Sequence, residues 1–332
     1  MQYFERTASP LVLVTRPIGE QAFESLQKVC SIRLWSEALE SMPRDVLLKE
    51  IAGVDAVLCL LTDKLDEEAI TAAGKQLKCI STISVGFDHI DVPLCRKKGI
   101  AVAHTPDVLT ATCATFAVGM MLSSLRRFPE AMAAIPRGEW KGMPLYWMTG
   151  ADIETCTVGI VGFGAIGQAV ARRLQPFGST ILYTRNRKNS TPPDGLSHCQ
   201  EVELEELLQR SDIVTLHCPL NDKTKHLINK DRLAMMKSTA LLVNASRGGC
   251  IDQDALVDAL QTGVIGAAAL DVTTPEPLPL DHPLLHMPNC AITPHISSAT
   301  KSVRDKMCNM AVENVLLAMD GSTLKNPVPG SQ

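Results

Sequence analysis

The chain has 332 residues, 45% of them apolar and 20% charged, with a net charge of −4. That length suits two domains of roughly 150 residues each, and that balance suits ordinary packed cores. The mild negative charge argues against nucleic acid or an anionic membrane as partner, so any basic cluster must act locally.

The opening MQYFERTASP lacks the apolar run and cleavage site of a secretory signal. Eleven cysteines are scattered singly, with no C-x-x-C pair and no adjacent histidine pair. They read as reduced core residues of a cytoplasmic protein rather than as a metal site. Short β-branched runs alternate with amphipathic stretches from end to end, the pattern of parallel sheets wound by helices. The first series predicts strands at LVLVT (11–15), IRLW, AVLCLL, CISTIS and IAVAH, with helices near 20–29, 44–51 and 66–74. From Leu109 to Leu125 the chain is uncharged, between Asp107 and Arg126-Arg127. A membrane span needs about 20 apolar residues. This shorter run, rich in Ser and Thr, reads as a buried helix at a domain junction or subunit interface. A second series follows at TVGIVG, ILYT, DIVTLH, ALLVNA, GAAALDV and CAITPH. Helical periodicity at Val303, Met307, Met310, Val315 and Leu317 predicts a final helix over 302–319, and spacing alone leaves open whether it returns to the first domain.

TVGIVGFGAIGQAVARRL carries Gly162-x-Gly164-x-x-Gly167 directly after an apolar strand, and Ile166, Val170 and Leu174 share one face of the helix that follows. In that context the glycines mark a dinucleotide site: a tight turn, a close approach to pyrophosphate, and close helix–strand packing. The helix N-terminus, beginning near Ala165 and Ile166, offers N–H donors to phosphate. In NAD sites the next strand commonly ends in an acid. Here it ends at Thr184, followed by Arg185, Asn186 and Arg187, with Lys188 close by. Such cations suit the 2′-phosphate of NADPH and predict weaker use of NADH. A solvated basic loop is the plainer alternative.

Three later strands each run into a polar residue. Arg247 follows ALLVNAS, Asp271 and Glu276 follow GAAAL, and His295 follows CAITP. Ligands gather at the carboxyl ends of strands in open α/β sheets, so these residues should converge. His217, before Cys218-Pro219, reads as structural or near the adenine.

SVGFDHI (84–90), TPDVLT (105–110), VGIVGFGAIG (158–167), NASRGG (244–249), LDVTTPEPLP (270–279) and TPHISSAT (293–300) stand in one order and spacing. By these the chain resembles the D-isomer-specific 2-hydroxyacid dehydrogenases over nearly its whole length, and within them the glyoxylate/hydroxypyruvate reductases. The resemblance implies two doubly wound parallel-sheet α/β domains. One is a discontinuous flavodoxin-like substrate domain (1–105 and 295–332), the other a Rossmann cofactor domain (106–294). It also implies a homodimer and NADPH-dependent reduction of hydroxypyruvate to D-glycerate and of glyoxylate to glycolate. Arg247 suits the substrate carboxylate, because a guanidinium grips it with two parallel bonds. His295 suits proton donation near neutral pH, with Glu276 on its far ring nitrogen. The resemblance further implies that the N–H groups of Val85 and Gly86, with Ser298, bind substrate. By the same route Asp271 meets the nicotinamide carboxamide, Pro219 and Ala245 line the cofactor, and Trp140 and Met143 lie near a pocket-shaping segment.

Three positions depart from the family pattern: Thr115 where an acid is usual, Ser297 where glycine is usual, and Ala165 where a larger residue is common. A nucleotide-sensing, non-catalytic paralogue, of the kind exemplified by the C-terminal-binding-protein corepressors, is the alternative function.

Overall fold

The computed structural model describes residues 1–4, 9–186 and 194–330. The chain divides into two compact units, Met1–Leu109 with Ala299–Gln332, and Thr110–Ser298. The segment carrying His295 therefore lies with the second unit.

The first unit is built on a six-stranded sheet of β1 (Gln2–Phe4), β2 (Leu11–Val14), β3 (Ser31–Leu34), β4 (Ala56–Cys59), β5 (Cys79–Thr82) and β6 (Ala101–Ala103). Its order is β1-β3-β2-β4-β5-β6. β2 to β6 pair in parallel, as their apolar runs predict, because both faces are covered by helices. β1 is the difference: it pairs antiparallel with β3 at the sheet edge, Tyr3 opposite Arg33. Leu13, Ile51, Val57, Ile70 and Ile80 belong to one continuous core cluster. The helix Lys301–Met319 packs on β4 and β5. There the Ser81 hydroxyl donates to the Ala311 carbonyl at 2.9 Å, so the chain's end returns to this unit.

The second unit holds β7 (Thr157–Val161), β8 (Thr180–Thr184), β9 (Gln200–Glu201), β10 (Ile213–Leu216), β11 (Leu241–Asn244), β12 (Ala267–Leu270) and β13 (Cys290–Ile292). They form a fully parallel sheet in the order β13-β12-β11-β10-β7-β8-β9. Strand order reverses between β7 and β10, which is where a doubly wound sheet opens a crevice. The apolar run at 109–125 becomes the helix Thr110–Leu125. It buries Ala114, Ala117, Val118, Met120 and Met121 on one face of the sheet, in a core shared with Val158, Ile160 and Tyr183. A second core, with Val214, Leu242 and Leu256, fills the opposite face.

Candidate functional site

Register brings the predicted residues together. Val161 of β7 stands opposite Thr184 of β8 and Leu216 of β10, and Leu216 stands opposite Asn244 of β11. Asn244 stands opposite Leu270 of β12, and Leu270 opposite Ile292 of β13. Gly162, Arg185, His217, Ala245, Asp271 and Thr293 thus each leave the sheet at one edge.

The glycine loop fits a dinucleotide. Gly162 adopts a left-handed φ of 93°, and a Cβ there would lie 2.8 Å from the His217 backbone. At Gly167 a Cβ would fall 2.2 Å from the Gly162 carbonyl, so glycine lets the helix Ala165–Leu174 sit on the loop. A Cβ on Gly164 would meet nothing within 4 Å. That open face lies at an uncapped N-terminus of a ten-residue helix, a suitable cradle for pyrophosphate. Ala165 is exposed at the first helical position, and Ile166 packs against the core. Phe163 turns inward and stacks on Tyr183 of β8, rings 3.7 Å apart and 12° from parallel. The Gly162 N–H donates to the Thr184 carbonyl at 3.0 Å, tying the loop to the end of β8.

Beyond Thr184, Arg185 forms an ion pair with Glu201 of β9 at 2.8 Å and lies over the Tyr183 ring, 5.4 Å from its centroid. Asn186 is exposed. Arg187 and Lys188 lie outside the described residues. Pro219 is exposed after β10 and Ala245 half-buried after β11. The His217 ring sits against Thr215, Nε2 to the hydroxyl at 2.9 Å, and burial pushes its pKa down to about 4. A neutral imidazole beside the glycine loop agrees with a structural role.

The segment after β11 is folded by the last residue of that strand. Buried Asn244 accepts from the Ser246 N–H at 3.0 Å and the Ser246 hydroxyl at 2.8 Å, and donates to the Arg247 carbonyl at 2.9 Å. Gly248 then lies flat on the next loop, where a Cβ would stand 2.1 Å from the Thr273 carbonyl. Any larger residue would push the Arg247 loop away from the Glu276 loop. Gln253, the first residue of the helix Gln253–Thr262, clamps that same loop. Its Nε2 donates to the Thr274 carbonyl at 2.7 Å, and its Oε1 accepts from the Thr274 N–H at 2.9 Å.

Glu276 accepts from the Thr273 N–H at 3.0 Å through one oxygen and meets His295 Nδ1 at 2.9 Å through the other. The imidazole is consequently held by Nδ1. Its backbone lies in the left-handed region, φ 52°. The constraint comes from Asp271, which is only 1% exposed. Asp271 Oδ1 accepts from the Thr293 hydroxyl at 2.6 Å and the Ile296 N–H at 2.9 Å, and Oδ2 accepts from the Ser297 N–H at 2.8 Å. One carboxylate therefore braces both sides of His295. Ser297 and Ser298 are buried in this turn.

Val85 and Gly86 belong to the first unit, just past β5. Their carbonyls are held by side chains: His104 Nδ1 lies 2.8 Å from the Val85 oxygen, and the Ser84 hydroxyl donates to the Gly86 oxygen at 2.6 Å. His89 Nε2 meets the Thr82 hydroxyl at 3.1 Å. Sequence reasoning missed His104, Gln253, Glu201 and the role of Asn244. Only Asn244 carried a local signal, as an Asn at a strand end followed by small residues. Among the described residues no cluster of His, Cys, Asp and Glu suits a metal, and no helix is long and apolar enough to cross a membrane.

The profile of the NAD binding domain of D-isomer specific 2-hydroxyacid dehydrogenases matches residues 118–297. A glyoxylate reductase of Thermofilum pendens is 44% identical over 315 residues, 95% of this chain and 93% of that one. The human glyoxylate reductase/hydroxypyruvate reductase is 43% identical over 317 residues, covering 94% and 96%. Among solved structures, the NADPH-dependent glyoxylate/hydroxypyruvate reductase of Sinorhizobium meliloti, in complex with NADP and malonate, superposes with a TM-score of 0.84. That pair is 30% identical, with 98% of each chain covered.

Proposed function

Because the chain belongs to the D-isomer-specific 2-hydroxyacid dehydrogenases, we propose that it reduces small 2-oxo acids with NADPH as the preferred cofactor. Hydroxypyruvate would yield D-glycerate and glyoxylate would yield glycolate, with NADH used more weakly. Bound nicotinamide would supply the hydride. Arg247 binds the substrate carboxylate as a bidentate guanidinium, and Ser298 of the same unit contributes to recognition. His295 donates the proton from Nε2 to the substrate oxygen as the carbonyl becomes a hydroxyl. Glu276 holds the ring through Nδ1 and so fixes its orientation.

The 2.9 Å contact between Glu276 and His295 Nδ1 carries this assignment, because it leaves the opposite nitrogen as the only ring atom available for transfer. The names of the relatives support the substrate class. The cations after β8 and the NADP complex of one relative support the cofactor. Gly162, Gly164, Ala165, Ile166 and Gly167 hold the pyrophosphate, Thr184 to Arg187 the adenosine ribose and its phosphate, and Pro219, Ala245 and Asp271 the remainder. A homodimer is supported by Phe128, Met132, Ile135, Trp140, Leu145 and Tyr146, all more than half exposed within one short stretch.

Oxidation of NADPH and of NADH, followed separately with hydroxypyruvate and with glyoxylate, tests the proposal. Turnover at least about tenfold faster with NADPH is expected from two charge-assisted bonds to the 2′-phosphate. Tight NADPH binding without turnover would instead favour the nucleotide-sensing alternative.

A further inference from the structure

We propose that Glu201 is a specificity-determining residue of the cofactor site, weakening NADPH selectively by occupying the guanidinium that would hold the 2′-phosphate. This deepens the cofactor reading above and rests on it. β8 ends without the acid expected of an NAD site, yet a carboxylate stands at the same edge, delivered by β9. Glu201 faces Tyr183 across the strand pair. Its two oxygens take Arg185 Nη2 at 2.8 Å and Nε at 3.3 Å, and the Tyr183 hydroxyl donates to it at 3.2 Å. Tyr183 in turn stacks on Phe163 of the glycine loop. An unbroken line of contacts thus runs from the pyrophosphate cradle to the Glu201 carboxylate.

Arg185 is well sheltered, its side chain 12% exposed, whereas that of Glu201 is 34% exposed. A 2′-phosphate brings a charge of about −1.5 to −2. To reach Arg185 it must share or displace the Glu201 carboxylate and accept repulsion from it. The neutral ribose hydroxyls of NADH meet no such repulsion. Glu201 therefore narrows the gap between the cofactors while Arg185 widens it.

The full-length chain would be titrated with NADPH, NADH, 2′,5′-ADP and 5′-AMP, which requires no turnover. Glu201→Gln should tighten NADPH and 2′,5′-ADP by about 1.5- to 5-fold, the size of one partly exposed charge contact, and leave NADH and 5′-AMP unchanged. The gain should shrink as salt is added. Glu201→Asp keeps the charge and should bind like the parent, which separates charge from packing. Unchanged or weaker NADPH binding by Glu201→Gln overturns the proposal. So does a selective loss of NADH and 5′-AMP, which would make Glu201 a ribose acceptor. Arg185→Gln distinguishes the two levels. If it weakens 2′,5′-ADP but not 5′-AMP while Glu201→Gln changes nothing, only the role of Glu201 falls. If it spares 2′,5′-ADP, Arg185 is not the phosphate anchor and both fall.

Discussion

Replacing Asp271 by Asn should both loosen the fold and disable the proton donor. The buried carboxylate accepts from Thr293, Ile296 and Ser297. An amide in the same place has one accepting end. With its oxygen toward Thr293 and Ile296, the NH₂ faces the Ser297 N–H, donor against donor. The flipped amide sets the same clash against Ile296. Either way one charge-assisted bond is lost, at about 1.5–3 kcal/mol, and the survivors weaken to neutral bonds. A total near 2–4 kcal/mol corresponds to a melting temperature about 5–12 °C lower. The turn so released carries His295, and a displacement of about 1 Å at a reacting group costs on the order of 100-fold in rate. Calorimetry and steady-state kinetics on the purified variant would measure both. A melting temperature within about 1 °C of the parent, with a raised KM for cofactor, would refute the bracing role. It would return Asp271 to simple nicotinamide contact.

Gln253→Ala removes two bonds from the Thr274 backbone; a stability loss of about 1–2 kcal/mol is expected, with kcat falling as Glu276 drifts, and an unchanged kcat would contradict the clamp. Thr115 accepts a bond from Arg173 Nε at 2.9 Å. Thr115→Glu should convert it to an ion pair worth about 0.3–1 kcal/mol, read as a small rise in melting temperature that salt abolishes. His217, held neutral with its pKa pushed down to about 4 against an ordinary 6.5, lets the unfolded chain bind the proton first. Stability should therefore be complete above pH about 6.5 and fall by roughly 1–3 kcal/mol as pH drops toward 4. His217→Gln should flatten that slope in denaturant titrations at a series of pH values. Tyr146→Glu should halve the mass seen by light scattering if the exposed apolar stretch is a subunit contact; an unchanged mass would place the contact elsewhere.

The sheets were legible because their strands are β-branched runs bounded by turn residues, and two series of them predict two wound units. The glycine loop was legible for the same reason, since each glycine answers a specific steric demand. Arg247, Glu276 and His295 could be anticipated at strand ends, and the register confirms that their strands end level. Other features had no local signature. β1 and β9 span three and two residues, too few for a period, and exist only through their partners. The Arg185–Glu201 pair joins residues sixteen apart that meet because β9 lies beside β8. Asp271 invited a contact with cofactor, but its depth and three backbone and hydroxyl donors depend on a turn more than twenty residues downstream.

The antiparallel β1 has a consequence for handling the protein. A sheet edge left bare presents unpaired N–H and C=O groups that recruit strands from other molecules. Gln2–Phe4 covers β3 in that position. Trimming these residues, or fusing a bulky partner against them, would expose β3 as a template for intermolecular pairing. Loss of solubility would then precede any loss of catalytic geometry, and an inactive preparation would report aggregation rather than a damaged site.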